Sequence, residues 1–124
     1  MPAWEEYIQI ATERGALAYE LYIVETAPIG TPEELQKTLP DHVAYQQTLE
    51  RDGNIFLAGP TSDLSGDLMQ GSGLIVYRAT SLAEAKALAD ADPMHSRNVR
   101  SYSLRKWLVN EAHGNLAAAL PPRL

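Results

Sequence analysis

Two helix-start signatures constrain this chain more than any other feature: Thr31-Pro32-Glu33-Glu34 and Ser81-Leu82-Ala83-Glu84. Each sets a hydroxyl residue at an N-cap and a glutamate one turn later, the form of a capping box, and the first adds proline at the opening helical position. Around them lie short runs rich in β-branched and aromatic residues, Ala18 to Thr26, Asn54 to Ala58, Gly73 to Arg78 and Val99 to Leu108, which read as strands. Trp4, Tyr7, Ile8 and Ala11 recur at helical spacing ahead of Gly15, so residues 1–16 form an added amphipathic helix. The remaining order is strand, helix, strand, strand, helix, strand. That order predicts an α+β, ferredoxin-like βαββαβ fold, with both helices on one face of a four-stranded antiparallel sheet. Residues 18–108 make its core and 109–124 a tail, a short helix or a frayed end, within a single domain spanning 1–124. A sheet covered on one face leaves apolar side chains on the other, which predicts a homodimer formed sheet against sheet, or a higher oligomer of such dimers.

Local punctuation refines this order. Pro40 is expected to break the first capped helix, leaving one or two turns before a main helix from Pro40 to Arg51 that stops near Gly53. His42, Tyr45 and Leu49 then fall on the stripe facing the core. The polar, glycine-rich segment Thr61 to Ser72 is long for a hairpin and reads as a flexible loop, with a flap over a site as the alternative. Leu82, Ala85 and Leu88 or Ala89 carry the second helix up to Asp92.

At 45% hydrophobic and 21% charged residues, the 124-residue chain has the composition of one globular domain. Its formal net charge of -6 argues against nucleic acids and anionic membranes, which are held mainly by Lys and Arg. The absence of cysteine removes disulfides, thiolate metal sites and cysteine nucleophiles together. No apolar run approaches the length of a membrane span, and the expected location is cytoplasmic. Arg97, Arg100, Arg105 and Lys106 fall in a stretch, Pro93 to Val109, that contains no acidic residue. Such a run is a solvated strand face or a holder of an anionic substrate.

Asp92 stands where a helix stops, because Pro93 cannot continue it and biases Asp92 toward extended backbone. Its carboxylate is either a plain surface acid or a group projecting from the helix end. His95 reads as an exposed loop histidine, and the spacing of His42, Asp92 and His95 matches no recognised metal motif, so no metal is expected. Gly71-Ser72-Gly73 is neither a hydrolase nucleophile elbow nor a phosphate loop, since no Walker lysine follows. Tyr45, Tyr77, Tyr102 and Trp107 are core residues or walls for a planar ligand. Arg97 and Arg100 are candidate clamps for a carboxylate or phenolate, because a guanidinium binds planar anions as a fork.

His42 within Asp41-His42-Val43-Ala44-Tyr45, then Leu57-Ala58-Gly59-Pro60, then Ser81 through Glu84-Ala85 into Ala91-Asp92-Pro93-Met94, resembles the YCII-related (YciI-like) family over about residues 18 to 108. Met94-His95, Lys106-Trp107-Leu108-Val109-Asn110-Glu111 and the added N-terminal helix look like one subgroup of it. The resemblance implies a ferredoxin-like fold that dimerises as an α/β barrel, with a histidine and an aspartate paired in a cleft. Residue by residue these are His42 and Asp92. It also implies kinship with a dehydrochlorinase acting on a chlorinated hydroxyquinol, and a fold shared with muconolactone isomerases.

From the residues alone, His42 is expected in the first turn of the helix beginning near Pro40, where the dipole disfavours the imidazolium, and Asp92 at a helix C-terminus, where it disfavours the carboxylate. Such a dyad suits proton removal beside a carbonyl, followed by elimination or isomerisation, with no cofactor. The expected ligand is a small molecule, anionic or aromatic, met by His95, Arg97, Arg100 and Tyr45 as substrate-binding residues. Two functions stay open. One is a cofactor-free lyase or isomerase; the other is a non-catalytic dimeric module for a small ligand or protein partner, in which His42 is a core-edge histidine satisfied by a hydrogen bond.

Overall fold

The computed structural model describes residues 1–120, apart from the side chain of Leu116. The elements are α1 (Trp4–Glu13), β1 (Tyr19–Pro28), α2 (Pro32–Asp52), β2 (Ile55–Ser62), β3 (Met69–Tyr77), α3 (Leu82–Ala91), α4 (Pro93–Ser96), β4 (Arg100–Val109) and α5 (Gly114–Ala119). The strands form one four-stranded sheet in the order β2-β3-β1-β4. By contacts the chain divides into two units, Tyr22–Arg105 and a second made of Met1–Leu21 with Lys106–Leu124. The last part of the expected tail, residues 121–124, lies outside the described residues.

Within Tyr22–Arg105, β1 and β3 pair antiparallel with Tyr22 opposite Tyr77, Val24 opposite Ile75 and Thr26 opposite Gly73. Alternate strand residues share a face, and this set faces the helices. Tyr22, Val24, Ile75 and Tyr77 join Leu49 of α2 and Ala85 and Ala89 of α3 in one buried cluster, with Tyr45 and Leu88 packed against it. In the other unit Trp4, Tyr7, Ile8 and Ala11 of α1 pack with Ala18 and Leu108, as the helical spacing of those residues predicts.

Three expectations about local structure are corrected. Pro40 does not break α2, which runs unbroken from Pro32 to Asp52 with the proline inside. The helix is fixed at both ends: Thr31 and Glu34 complete the reciprocal capping box, and Gly53, at φ 82°, takes the left-handed cap. Its amide donates to Glu50 O and that of Asn54 to Leu49 O, closing a Schellman turn. These caps and the inward packing of Leu49 outweigh the proline penalty of about 3 kcal/mol. Consequently His42 lies in the helix interior and not in a first turn, away from the positive end of the dipole.

The segment Thr61 to Ser72 is not a long flexible loop. Strand pairing continues through Gly59 and Pro60, with Pro60 opposite Gly73, and a hairpin turn remains between Ser62 and Met69. Proline is tolerated there because β2 is an edge strand of the sheet. Asp63 organises the turn by accepting from the amides of Ser65 and Gly66, both at 3.1 Å. These bonds, led by that from the Ser65 side chain, hold its carboxyl below the usual carboxylate range. At the second capping signature only the forward half forms: Ser81 Oγ accepts from Glu84 N, while the Glu84 carboxylate accepts from the Thr80 hydroxyl instead.

Tyr77 is fully buried, and its hydroxyl has no hydrogen-bond partner among the described residues. Burial first, and the charge of Asp92 second, push its phenol well above the ordinary tyrosine value. The folded chain therefore keeps a proton that the unfolded chain releases above pH ~10. This contribution to stability is complete below that pH and is lost as pH rises. Tyr77→Phe is expected to leave neutral-pH stability unchanged or raise it by about 1 kcal/mol, and to flatten the alkaline decline. Urea unfolding at neutral and alkaline pH measures both.

Candidate functional site

Asp92 does two jobs at one junction. It ends α3, with its backbone N–H reaching Ala89 O at 3.3 Å, and it is the N-cap of α4, its carboxylate accepting from Met94 N at 3.0 Å. Its ψ of 125° is the extended conformation that the following proline requires. The Asp-Pro step that reads as a helix stop is therefore also a helix start, with N-cap aspartate and proline at the first position. A carboxylate capping a helix N-terminus is favoured, so the N-terminal end of α4 offsets the unfavourable dipole that Asp92 meets at the end of α3.

The Asp92 side chain is fully buried and is met from α2 by His42, whose Nδ1 lies 2.8 and 3.0 Å from its two oxygens. An ionised carboxylate only accepts, so Nδ1 carries the hydrogen, and in the neutral ring Nε2 keeps its lone pair. No hydrogen bond engages Nε2 among the described residues. The histidine side chain is 17% exposed, and it lines a cleft of about 260 Å³ together with Thr26, Leu39, Gln46, Met94, Arg100 and the hairpin residues Gly59, Pro60, Met69 and Gly71 to Ile75. Gly73 lets β2 and β3 approach closely at this wall, since a Cβ there would come within 3.2 Å of Gly59 O.

The other expected site residues are placed differently. His95 is buried, not an exposed loop histidine, because α4 turns it inward. Its Nδ1 is 2.7 Å from Ala89 O and its Nε2 is 3.0 Å from Thr26 Oγ1, and its ring centroid lies 4.6 Å from that of Tyr102. A carbonyl only accepts, so Nδ1 bears the hydrogen and Thr26 donates to Nε2. Arg97 is exposed and pairs with Asp41 at 2.7 Å. Tyr45 donates its hydroxyl to Leu88 O at 2.6 Å, tying α2 to α3, and burial, aided by Asp92, raises its phenol above the ordinary value. None of these three lines the cleft. Tyr77, Tyr102 and Trp107 do not line it either.

Arg100 does line the cleft. Its Nε donates to Thr26 Oγ1 at 3.0 Å and its Nη2 to Thr26 O at 3.1 Å and to Gly71 O. Burial lowers the pKa of this guanidinium, and the negative charge of Asp92 opposes that shift. Thr26, Gly71, Gln46 and Met94 were not anticipated as wall residues. They come from separate elements, and only the register of β1 on β3 brings Thr26 and the Gly71 to Gly73 stretch together. Among the described residues no group of three or more His, Asp or Glu side chains converges to hold a metal, and no helix is long and apolar enough to cross a membrane.

A sheet ordered β2-β3-β1-β4 with crossover helices packed on one face, and a histidine-carboxylate pair at the wall of a cleft, defines a ferredoxin-like α+β protein. The YCII-related domain matches residues 15–108, and the chain belongs to that family. Among solved structures it is similar to 5-chloro-2-hydroxyhydroquinone dehydrochlorinase from Burkholderia phenoliruptrix AC1100, determined in complex with 2,5-dihydroxybenzoquinone. The two share 20% identity and a TM-score of 0.51, over 77% of this chain and 96% of that one, a likeness of fold. No curated protein sequence matches the chain.

Proposed function

We propose that the protein is a cofactor-free enzyme of small-molecule metabolism, a lyase or isomerase in which His42 is the general base and Asp92 holds its ring. The observation that carries this reading is the 2.8 Å bond from His42 Nδ1 to a fully buried carboxylate, which leaves Nε2 as acceptor beside an open cleft. A base so oriented takes a proton from carbon next to a carbonyl; the C–H pair becomes a C=C bond and the carbonyl π pair moves to oxygen. Return of the proton to a different carbon completes an isomerisation. Alternatively the carbonyl re-forms, the enolate C=C pair moves to make a new double bond to the neighbouring carbon, and halide leaves that carbon with the C–halogen pair, which completes an elimination. The dehydrochlorinase with the same fold supports this class of chemistry, and a cleft of about 260 Å³ suits a compact substrate.

The test is deuterium incorporation from solvent, and double-bond migration, in a panel of β,γ-unsaturated cyclic ketones. Both are expected with the wild-type protein and lost in His42→Gln. Equal rates for the two proteins would remove the reading. A second reading, a ligand-binding module without turnover, is favoured by one observation: Asp92 caps α4 and joins it to α2, a structural role sufficient for the pair. We further propose that two copies associate through the sheet face away from α2 and α3, where Leu57 and Leu74 are exposed. Sedimentation at micromolar concentration is expected to give a dimer, and a monomer would end that proposal.

A further inference from the structure

Arg100 is a half-buried cation with no carboxylate within ion-pair distance among the described residues. In this it differs from Arg97 and Arg105, which are paired with Asp41 and Glu25. Its neutral partners are fixed: Thr26 Oγ1, Thr26 O and Gly71 O take the Nε hydrogen and both Nη2 hydrogens. Thr26 is held in turn, since its own hydroxyl hydrogen goes to His95 Nε2, whose opposite nitrogen is anchored on Ala89 O. A buried relay from His95 through Thr26 thus sets the guanidinium plane at the cleft wall. Nη1 alone forms no hydrogen bond among the described residues, which leaves its two N–H donors available.

We propose that Arg100 anchors a planar organic oxyanion, a carboxylate or phenolate, in the cleft that holds His42, with Thr26 and His95 as positioning residues for the guanidinium. The inference rests on the reading of this cleft as the substrate site and adds the charge and shape of what enters it. A guanidinium locked by neutral acceptors binds an anion with little further ordering, and a partly desolvated site strengthens the pairing.

The probes are benzoate and its neutral isostere benzamide, titrated by protein NMR against the full chain. Wild type is expected to bind benzoate at least about ten-fold more tightly than benzamide, as a charge-assisted hydrogen bond allows, with a shift of the Arg100 side-chain nitrogen signals. Arg100→Gln is expected to lose the preference while retaining benzamide affinity, and Arg100→Lys to retain part of it. Thr26→Val, which frees the guanidinium, is expected to weaken benzoate alone. No preference in wild type, no shift at Arg100, or an intact preference in Arg100→Gln would overturn the proposal; the wild-type signals decide the matter if that variant does not fold. His42→Gln is expected to keep the preference. Anion discrimination without proton transfer in wild type would remove the base chemistry and leave the anchor, whereas proton transfer without discrimination would remove the anchor alone.

Discussion

Asp92→Ala is expected to lower stability by about 3 kcal/mol in urea unfolding, near the lower end for breaking a buried ionic pair. The substitution removes the cap on Met94 N and both contacts to His42 from a fully buried position. Because the histidine is 17% exposed, water compensates part of its loss. Asp92→Asn retains one oxygen as acceptor, either for Met94 N or for His42, and is expected to lose about 1 kcal/mol. The asparagine protein separates the two readings of the pair. If Asp92 only locks the junction of α3 and α4, turnover follows the folded fraction; if it orients a base, the rate falls in fully folded protein.

His42→Gln is expected to reduce proton transfer by about a hundred- to ten-thousand-fold, the usual worth of a positioned general base. Its stability should stay within about 1 kcal/mol of wild type, because the glutamine amide can still donate to the buried carboxylate. His42→Ala leaves that carboxylate without its partner and is expected to cost about 1 to 3 kcal/mol in addition to the rate. Rates compared between the glutamine and wild-type proteins at equal folded fraction therefore report chemistry and not unfolding. A rate in His42→Gln within a factor of two or so of wild type would contradict a role as base.

The elements of this fold were legible where local chemistry decides them. Thr31 and Glu34 mark the start of α2 and Gly53 its end, and the spacing of Tyr45, Leu49, Ala85 and Ala89 identifies the faces that reach the core. Local rules failed where a distant partner outweighs a local preference. Pro40 reads as a breaker, yet packing on both sides carries the helix through it. Gly59-Pro60 reads as the end of a strand, yet pairing with β3 extends past it because the strand lies at an edge.

At the site, His42 and Asp92 were readable as a pair only through the family pattern, since nothing in the local sequence of either residue names the other. His95 was misjudged for the opposite reason. Its polar surroundings in sequence give no sign that the short helix α4, begun by Asp92 and Pro93, turns its ring onto Thr26 and Ala89. The Asp-Pro capping signature is the available signal, and it reads as a stop because a longer helix precedes it. Arg97 and Arg100 looked equivalent in the basic stretch. One finds Asp41 at the surface and the other lines the cleft, a distinction set by their places, Arg97 at the C-cap of α4 and Arg100 at the start of β4, and not by composition.

The claim on which the functional reading depends is that His42 carries its hydrogen on Nδ1, toward Asp92, and leaves Nε2 free. Nitrogen-15 NMR of the imidazole at about pH 8, above the ordinary histidine range, measures this in the unmodified protein. The expected spectrum has a protonated Nδ1 and an unprotonated Nε2, with the Nδ1 signal displaced in Asp92→Asn. A ring protonated on Nε2 with a bare Nδ1, unchanged in Asp92→Asn, would contradict it.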